Sequence, residues 1–281
     1  MDYYNEFRIE PHAKIKLKSV DPDFHGKSLS HQESLSELEA EVEQMDQQQY
    51  LLYAERKRAI LIILQGLDAS GKDGVVRHVI RGMNPAGCQV VGFKQPTSVE
   101  LQHDFLWRVH PHAPGKGMVA IFNRSHYEDV LIPRVHSSVP EVVWSRRYAL
   151  INDFENLLVT ENDTTILKFY LHISKQEQLE RFKHRLDDKN HQWKISESDY
   201  TERKFWDDYI DAFEDVFHKT STKHAPWFVI PSNHKWFRNL AVSKIINTAM
   251  AGMKMKRPDA TVDLDEIRRK YHKAACEGRS D

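Results

Sequence analysis

Five runs along the chain are apolar at nearly every position: AILIILQG (59–66), CQVVGF (88–93), GMVAIFN (117–123), TTILKFYLHI (164–173) and PWFVIP (226–231). Hydrophobicity that is continuous rather than alternating marks strands buried on both faces, as in a parallel sheet. Helical spacing recurs between and after them, around 73–82, 98–109, 140–160, 175–187 and 196–219. This alternation predicts a three-layer α/β fold, a five-stranded parallel sheet flanked by helices.

Residues 1–28 are polar, punctuated by Pro11, Pro22 and Gly26, and read as an extended arm. A helix is expected from Ser34, with Ser34 and Glu37 as its capping box and Leu35, Leu38, Val42 and Met45 as its apolar stripe. The stretch 175–219 is too long for a simple crossover. Leu179, Phe182 and Leu186 share one helical face and Arg181 and Arg185 another. Trp206, Tyr209, Phe213, Val216 and Phe217 give the next helix a broad apolar face. Joined by the polar DDKNHQWK, the pair predicts a helical hairpin projecting as a lid. The expected organisation is an arm and helix (1–58), a core containing the lid at about 175–219 (59–250), and a polar tail (251–281) with one helix at 264–275.

Composition narrows the classes. In 281 residues no apolar stretch approaches the roughly 18 positions of a membrane span, and MDYYNEFRIE lacks the pattern of a secretory signal. Cys88 and Cys276 are too few for a disulfide framework, so a reducing, cytoplasmic setting is expected. A net charge of -1 argues against a nucleic-acid binder. The 16 histidines are scattered, without His-x-x-x-His or His-Glu-x-x-His spacing, which argues against a zinc enzyme.

The strand AILIILQ runs into Gly66-Leu67-Asp68-Ala69-Ser70-Gly71-Lys72-Asp73-Gly74, followed by the helix-compatible VVRHVIRGM. Gly-x4-Gly-Lys between a strand and a helix is a phosphate-binding loop: the backbone curls so that its amides converge on an anion, and the lysine adds a point charge. Gly66, Ala69, Ser70, Gly71 and Gly74 would form the cradle. Asp73 stands where such loops carry Ser or Thr as a magnesium ligand, and a carboxylate can serve instead. Asp68 beside bound phosphates would repel them unless a cation intervened, which points to a metal-bridged phosphate. The third apolar run ends in Asn123-Arg124-Ser125-His126-Tyr127-Glu128. Asn123 brings no charge but can hydrogen-bond and is a candidate nucleotide-binding residue, Glu128 could supply an acidic metal ligand, and Arg124 suits a bidentate phosphate contact. Lys94, His103, Asp104, Arg108 and Lys116, with Arg134 further on, are candidates to bind an acceptor's base, ribose or phosphate. Trp107 is expected in the core.

Taken in order, GLDASGKDG, FNRSHYEDVLIPRVH, KFYLHISKQEQLERFKHRL, Trp193-Lys194, FWDDYIDAFEDV and APWFVIPS resemble the polyphosphate kinase 2 family over residues 10–250. The resemblance implies a thymidylate-kinase-like fold, Mg²⁺ as cofactor, and phosphoryl transfer between inorganic polyphosphate and nucleotides under a helical lid. It implies that Asp68, Lys72 and Asp73 lie at the phosphate and metal site, that Arg124 is a catalytic cation, and that Arg181 and Arg185 hold phosphates from the lid. It also suggests a homo-oligomer. Many members carry Asp-Arg-Ser where this chain has Asn123-Arg124-Ser125; the departure resembles a subclass that accepts both AMP and ADP, and guanine nucleotides would follow. Two alternatives stay open here: an ATP-dependent nucleoside monophosphate kinase, and a non-catalytic module that binds polyphosphate or nucleotide.

Overall fold

The computed structural model describes residues 1–26 and 30–277. The end of the expected arm (27–28) and the last four residues of the tail lie outside the described residues. Elements in chain order are α1 (Tyr3–Phe7), β1 (Arg8–Ile9), α2 (His31–Glu55), β2 (Ala59–Gln65), α3 (Lys72–His78), β3 (Cys88–Gly92), β4 (Val119–Asn123), α4 (Glu128–Val135), α5 (Glu141–Asn162), β5 (Thr164–His172), α6 (Lys175–Asp187), α7 (Glu197–Glu202), α8 (Trp206–Thr220), β6 (Trp227–Pro231), α9 (Lys235–Gly252) and α10 (Leu264–Glu277).

The sheet has six strands, not five, in the order β1-β6-β5-β2-β4-β3. Five run parallel; β1 pairs antiparallel with β6 through Arg8–Phe228 and Ile9–Trp227, so the sheet is mixed and the arm is part of it. Period-2 alternation splits β2 between two cores. Leu61 and Ile63 face Phe122, Tyr148, Ile151, Phe213 and Phe217, whereas Ile60, Ile62 and Leu64 face Met45, Leu52, Phe237, Leu240 and Ile245. Helices therefore cover both faces, and the C-terminal ends of β2, β4 and β5 are the open rim where α/β sheets bind ligands.

Several local expectations change. The capping box of α2 uses Ser30 and Glu33, four residues earlier than expected, while Ser34 is buried with its hydroxyl donating to His31 O. Leu38, Val42 and Met45 form the buried stripe, but Leu35 is exposed. The segment 98–109 is not an α-helix; it holds a short 3₁₀ turn at Glu100–Gln102, followed by another at His110–His112. Three helices lie outside the expected ones: α1, inside the stretch expected to be an extended arm, α4 and α9. Of the expected apolar face of α6 only Phe182 is buried, Leu179 and Leu186 being exposed, and the helix's other buried residues are Gln178 and Arg181. The second half of the expected projecting hairpin is core: α8 buries Trp206, Tyr209, Ile210, Phe213 and Phe217 against the sheet. The lid-like part is thus confined to α6, α7 and the turns between them.

A buried polar cluster locks the start of α4, β5, α5 and α8 together. Lys168 Nζ donates to Glu155 Oε2 (2.6 Å), Tyr127 Oη (3.0 Å) and Thr220 O (2.7 Å), and Lys168 and Glu155 are both 0 % exposed. Removing one partner strands the other charge in a medium that cannot solvate it. Lys168→Met should therefore cost about 3–5 kcal/mol in urea unfolding, most of it recovered in the double variant Lys168→Met/Glu155→Leu. A single variant as stable as wild type would show that the cluster does not hold the fold.

Candidate active site

β2 is the central parallel strand, and the chain leaves it at Gly66 to form a loop that re-enters structure as α3. The conformation is one that few sequences tolerate. Gly71 sits at φ +106°, and a Cβ there would lie 1.8 Å from Arg238 Nη1; one at Gly74 would lie 2.7 Å from Arg238 Nη2. Ala69 is also left-handed, at φ 61°. Within the loop Ser70 N donates to Leu67 O, and Val75 N closes the first turn on Gly71 O. Among the described residues, the amides of Asp68, Ala69, Gly71, Lys72, Asp73 and Gly74 meet no protein acceptor. The loop is partly open to solvent, with Ser70 and Lys72 its buried members. A ring of free amides at a helix start is a cradle for an anion.

Lys72 Nζ is held by Gly66 O (2.6 Å) and Leu67 O (3.2 Å). Burial, and after it the neighbouring Arg124, push its ammonium down to about 8, against the pull of Asp68, Glu128 and Asp73. A desolvated cation beside free amides is completed by an anion.

The end of β4 lies beside β2, with Leu64 opposite Asn123. The chain then turns sharply, with Arg124 in the left-handed region at φ 63°, a strained placement that the surrounding fold must enforce. The turn aims Arg124 across the site: Nη2 donates to Asp68 Oδ1 (2.6 Å) and Nη1 to Glu128 Oε2 (3.3 Å). Glu128 raises the Arg124 pKa against the opposing effect of burial, with Asp68 adding to the rise, so this cation is permanent. Asn123 Nδ2 donates to Asp73 Oδ1 (2.8 Å), and Lys194 Nζ lies 3.4 Å from Asp73 Oδ2. Burial pushes the Asp73 carboxyl up, but the Asn123 hydrogen bond and Lys194 outweigh it and leave it ionised. Asp68 and Glu128 thus share Arg124, Asp73 is held by Asn123 and Lys194, and all three carboxylates act on Lys72 without closing into one cluster among the described residues.

The other expected site residues are placed less uniformly. Arg181 is no free lid cation. It donates to Ala69 O (2.8 Å), Ser70 O (3.0 Å), Ser232 O (2.5 Å) and Asn233 O (3.0 Å), and to Glu177 (2.7 Å). It clamps the loop backbone from outside. Arg185 is half-buried, 3.7 Å from Asp199, and donates to Lys194 O. Arg108 is buried, bonded to Asp129 and to Lys94 O, and so orders the segment that carries the exposed Lys94. His103 and Asp104 are exposed on the loop beyond β3. Trp107 is not core: it is 44 % exposed and stacks on His103 at 4.2 Å. Arg134 lies at the far end of α4 from Glu128, paired with Asp215 in a separate groove with Trp144.

Arg238 on α9 was not foreseen. Its buried guanidinium lies under Gly71 and Gly74, donating to Asn239 Oδ1 and to Ser70 O, and burial, then Arg181, push it down to about 9. No motif marks it, because its role depends on α9 passing beneath the loop. Gln178, whose amide donates to Asp68 O (2.9 Å), is a second such support.

Comparison with known proteins converges on one family. The family model "Polyphosphate kinase 2 (PPK2)" matches residues 28–258. The AMP/ADP-polyphosphate phosphotransferase of Meiothermus ruber is 45% identical over 266 residues, covering 93% of this chain and 98% of that protein. The ADP-polyphosphate phosphotransferase of Rhodopseudomonas palustris is 42% identical over 272 residues, covering 91% and 92%. A crystal structure of polyphosphate kinase 2 from Arthrobacter aurescens TC1 superposes with a TM-score of 0.93 at 41% identity, covering 97% of both chains.

Proposed function

Because this chain belongs to the polyphosphate kinase 2 family, we propose that it transfers the terminal phosphoryl group of inorganic polyphosphate to AMP and ADP, and to GMP and GDP by the same geometry, yielding ADP or ATP and a shortened chain. A terminal phosphate oxygen of the nucleotide attacks the terminal phosphorus of polyphosphate; the new P–O bond forms as the anhydride P–O bond breaks, and the leaving chain carries off its electron pair. The second pKa of a phosphate monoester is about 6, so the nucleophile is ionised near neutrality and no general base is needed. The work of the site is to let two polyanions meet. Two unit charges 4 Å apart still repel by about 4 kcal/mol at an effective dielectric of 20.

The ring of open amides at 68–74 carries this reading. It would hold the phosphate oxygens, with Lys72 and Arg124 placed against the charge that shifts between donor and acceptor. Arg181 and Arg238 keep the cradle in shape rather than touching phosphate, which leaves Arg185, Lys194 and Arg124 as candidates for phosphate contact. The exposed His103–Trp107 stack offers a platform for the acceptor base, beside Lys94 and Asp104.

Asp68, Asp73 and Glu128, the carboxylates around Lys72, are an all-oxygen donor set of the kind Mg²⁺ takes and are the residues that would hold it; among the described residues they are not drawn within reach of one ion, so binding would release them from Arg124, Asn123 and Lys194. When bound, the ion supplies positive charge to the phosphoryl oxygens. Asn123, bonded to Asp73, positions that carboxylate rather than adding charge. No described helix is long and apolar enough to cross a membrane. A cytoplasmic, self-associating protein completes the reading; the exposed Val143, Leu150 and Leu157, seven residues apart on α5, support the self-association.

The deciding experiment supplies AMP, polyphosphate and Mg²⁺ without ATP. ADP followed by ATP is expected; product that forms only after ATP is added would identify a nucleoside monophosphate kinase, and tight polyphosphate binding without product a non-catalytic module. The same assay carries a pH signature. Because Lys72 loses its proton at about 8 in the free protein, kcat/KM should fall on the alkaline side from about pH 8, while bound phosphate raises that pKa and moves the limb in kcat higher. A kcat/KM flat to about pH 10 would remove the Lys72 charge from substrate capture.

A further inference from the structure

The C-terminal turn of α6 gathers metal-ligating chemistry that phosphoryl transfer does not use. His184 is in the last turn, and Asp188, one turn on, ends the helix with its amide on His184 O. The chain then doubles back, His191 N donating to Asp188 O (2.8 Å). Asp188 Oδ1 accepts from Asn190 N (2.9 Å), which fixes the carboxylate, and Oδ2 lies 2.6 Å from His191 Nδ1. The His184 and His191 rings stand 5.7 Å apart. One ligand atom from each of His184, Asp188 and His191 lies within 4.8 Å of the other two. Zinc bonds of about 2.0–2.2 Å place tetrahedral ligands a little over 3 Å apart, so side-chain rotation suffices to close this set on one ion. A groove of about 500 Å³ opens beside it, lined by His184 and Asp188 and also by Glu180 and Asp187, which leaves room for water or a further carboxylate.

We propose that His184, Asp188 and His191 bind one divalent transition-metal ion of the zinc class, at a site separate from the carboxylates of the phosphate loop. The donor types carry the choice of ion. Two imidazoles and one carboxylate suit zinc, whereas Mg²⁺ takes oxygen ligands and keeps its waters. The His-x3-Asp-x2-His spacing escapes the usual helical signatures because the third ligand comes from the turn, not the helix. The ion has a mechanical consequence. His191 lies three residues before Lys194, which reaches Asp73 of the loop. Pinning His191 to α6 would hold that turn, and with it Lys194, over the phosphate site.

The test is a titration of metal-free full-length protein with Zn²⁺ against a chromophoric chelator, repeated with Co²⁺ read by its visible absorption. One Zn²⁺ per chain is expected, retained in about 100-fold excess Mg²⁺. His184→Ala and His191→Ala should each weaken binding about tenfold or more, and the Co²⁺ band of a four-coordinate site should vanish in the double variant. His224→Ala, at an exposed histidine elsewhere, should change neither. All three histidines are accessible enough for their variants to be checked for unchanged melting in the absence of metal. Hydrogen exchange at 188–194 should slow with Zn²⁺ in wild type and not in the His184→Ala/His191→Ala double variant. Absence of stoichiometric Zn²⁺ binding by wild type, displacement by Mg²⁺, or unchanged affinity in the double variant would overturn the proposal. These readouts need no turnover, so they stand or fall independently of the phosphotransferase reading.

Discussion

Lys72→Met is expected to lower kcat by about three orders of magnitude while leaving the fold intact, the scale lost when one pre-positioned charge is removed from a phosphoryl or oxyanion site. The side chain is tied to two carbonyls of its own loop and supports no distant element. Its ammonium is held partly desolvated, at a cost the fold recovers only when an anion arrives. Methionine matches its length and apolar stem, so the variant isolates the charge. Thermal unfolding should be unchanged or slightly raised, since a buried cation is removed. A variant with wild-type turnover would show that the loop does not take part in transfer.

Arg124→Gln should be similarly severe, by about 10²–10³-fold in kcat, but for a compound reason. In the proposed reaction the guanidinium would face the transferring phosphate, and in the structure it stands between Asp68 and Glu128, holding each by a hydrogen bond. Without it two carboxylates face one mouth with less positive charge between them. The loss should therefore be partly recovered by raised Mg²⁺, whereas the Lys72→Met loss should not. Equal insensitivity of both variants to Mg²⁺ would contradict the placement of Arg124 between the acids.

What was legible beforehand follows the range of the forces involved. Four of the five parallel strands announced themselves because burial on both faces leaves few polar positions, as in Ala59–Gln65 and Thr164–His172; β3 is the exception, an edge strand with no fully buried residue and Val90 48 % exposed. The phosphate loop was legible because its glycines and lysine must stand at fixed separations. β1 was not, since two residues have no periodicity and exist as a strand only through Phe228 and Trp227. α4 was obscured by Pro133 and α9 by burial on several faces, which erases an amphipathic stripe. The arginines show the limit most clearly. Arg181 and Arg185 are one helical turn apart, yet the first is spent on four backbone carbonyls and the second faces Asp199 and Lys194. Arg238 could not be found from sequence because its partner is the space that Gly71 and Gly74 leave empty.

The central claim, that open backbone amides receive the donor's terminal phosphates, can be read amide by amide. Isotope-labelled protein titrated with tripolyphosphate and Mg²⁺, and followed by two-dimensional NMR, should show its largest shifts at the amides of Asp68, Ala69, Gly71, Lys72, Asp73 and Gly74, with the same pattern weakened in Lys72→Met. Saturable shifts confined to other surfaces, with these six unmoved, would contradict it.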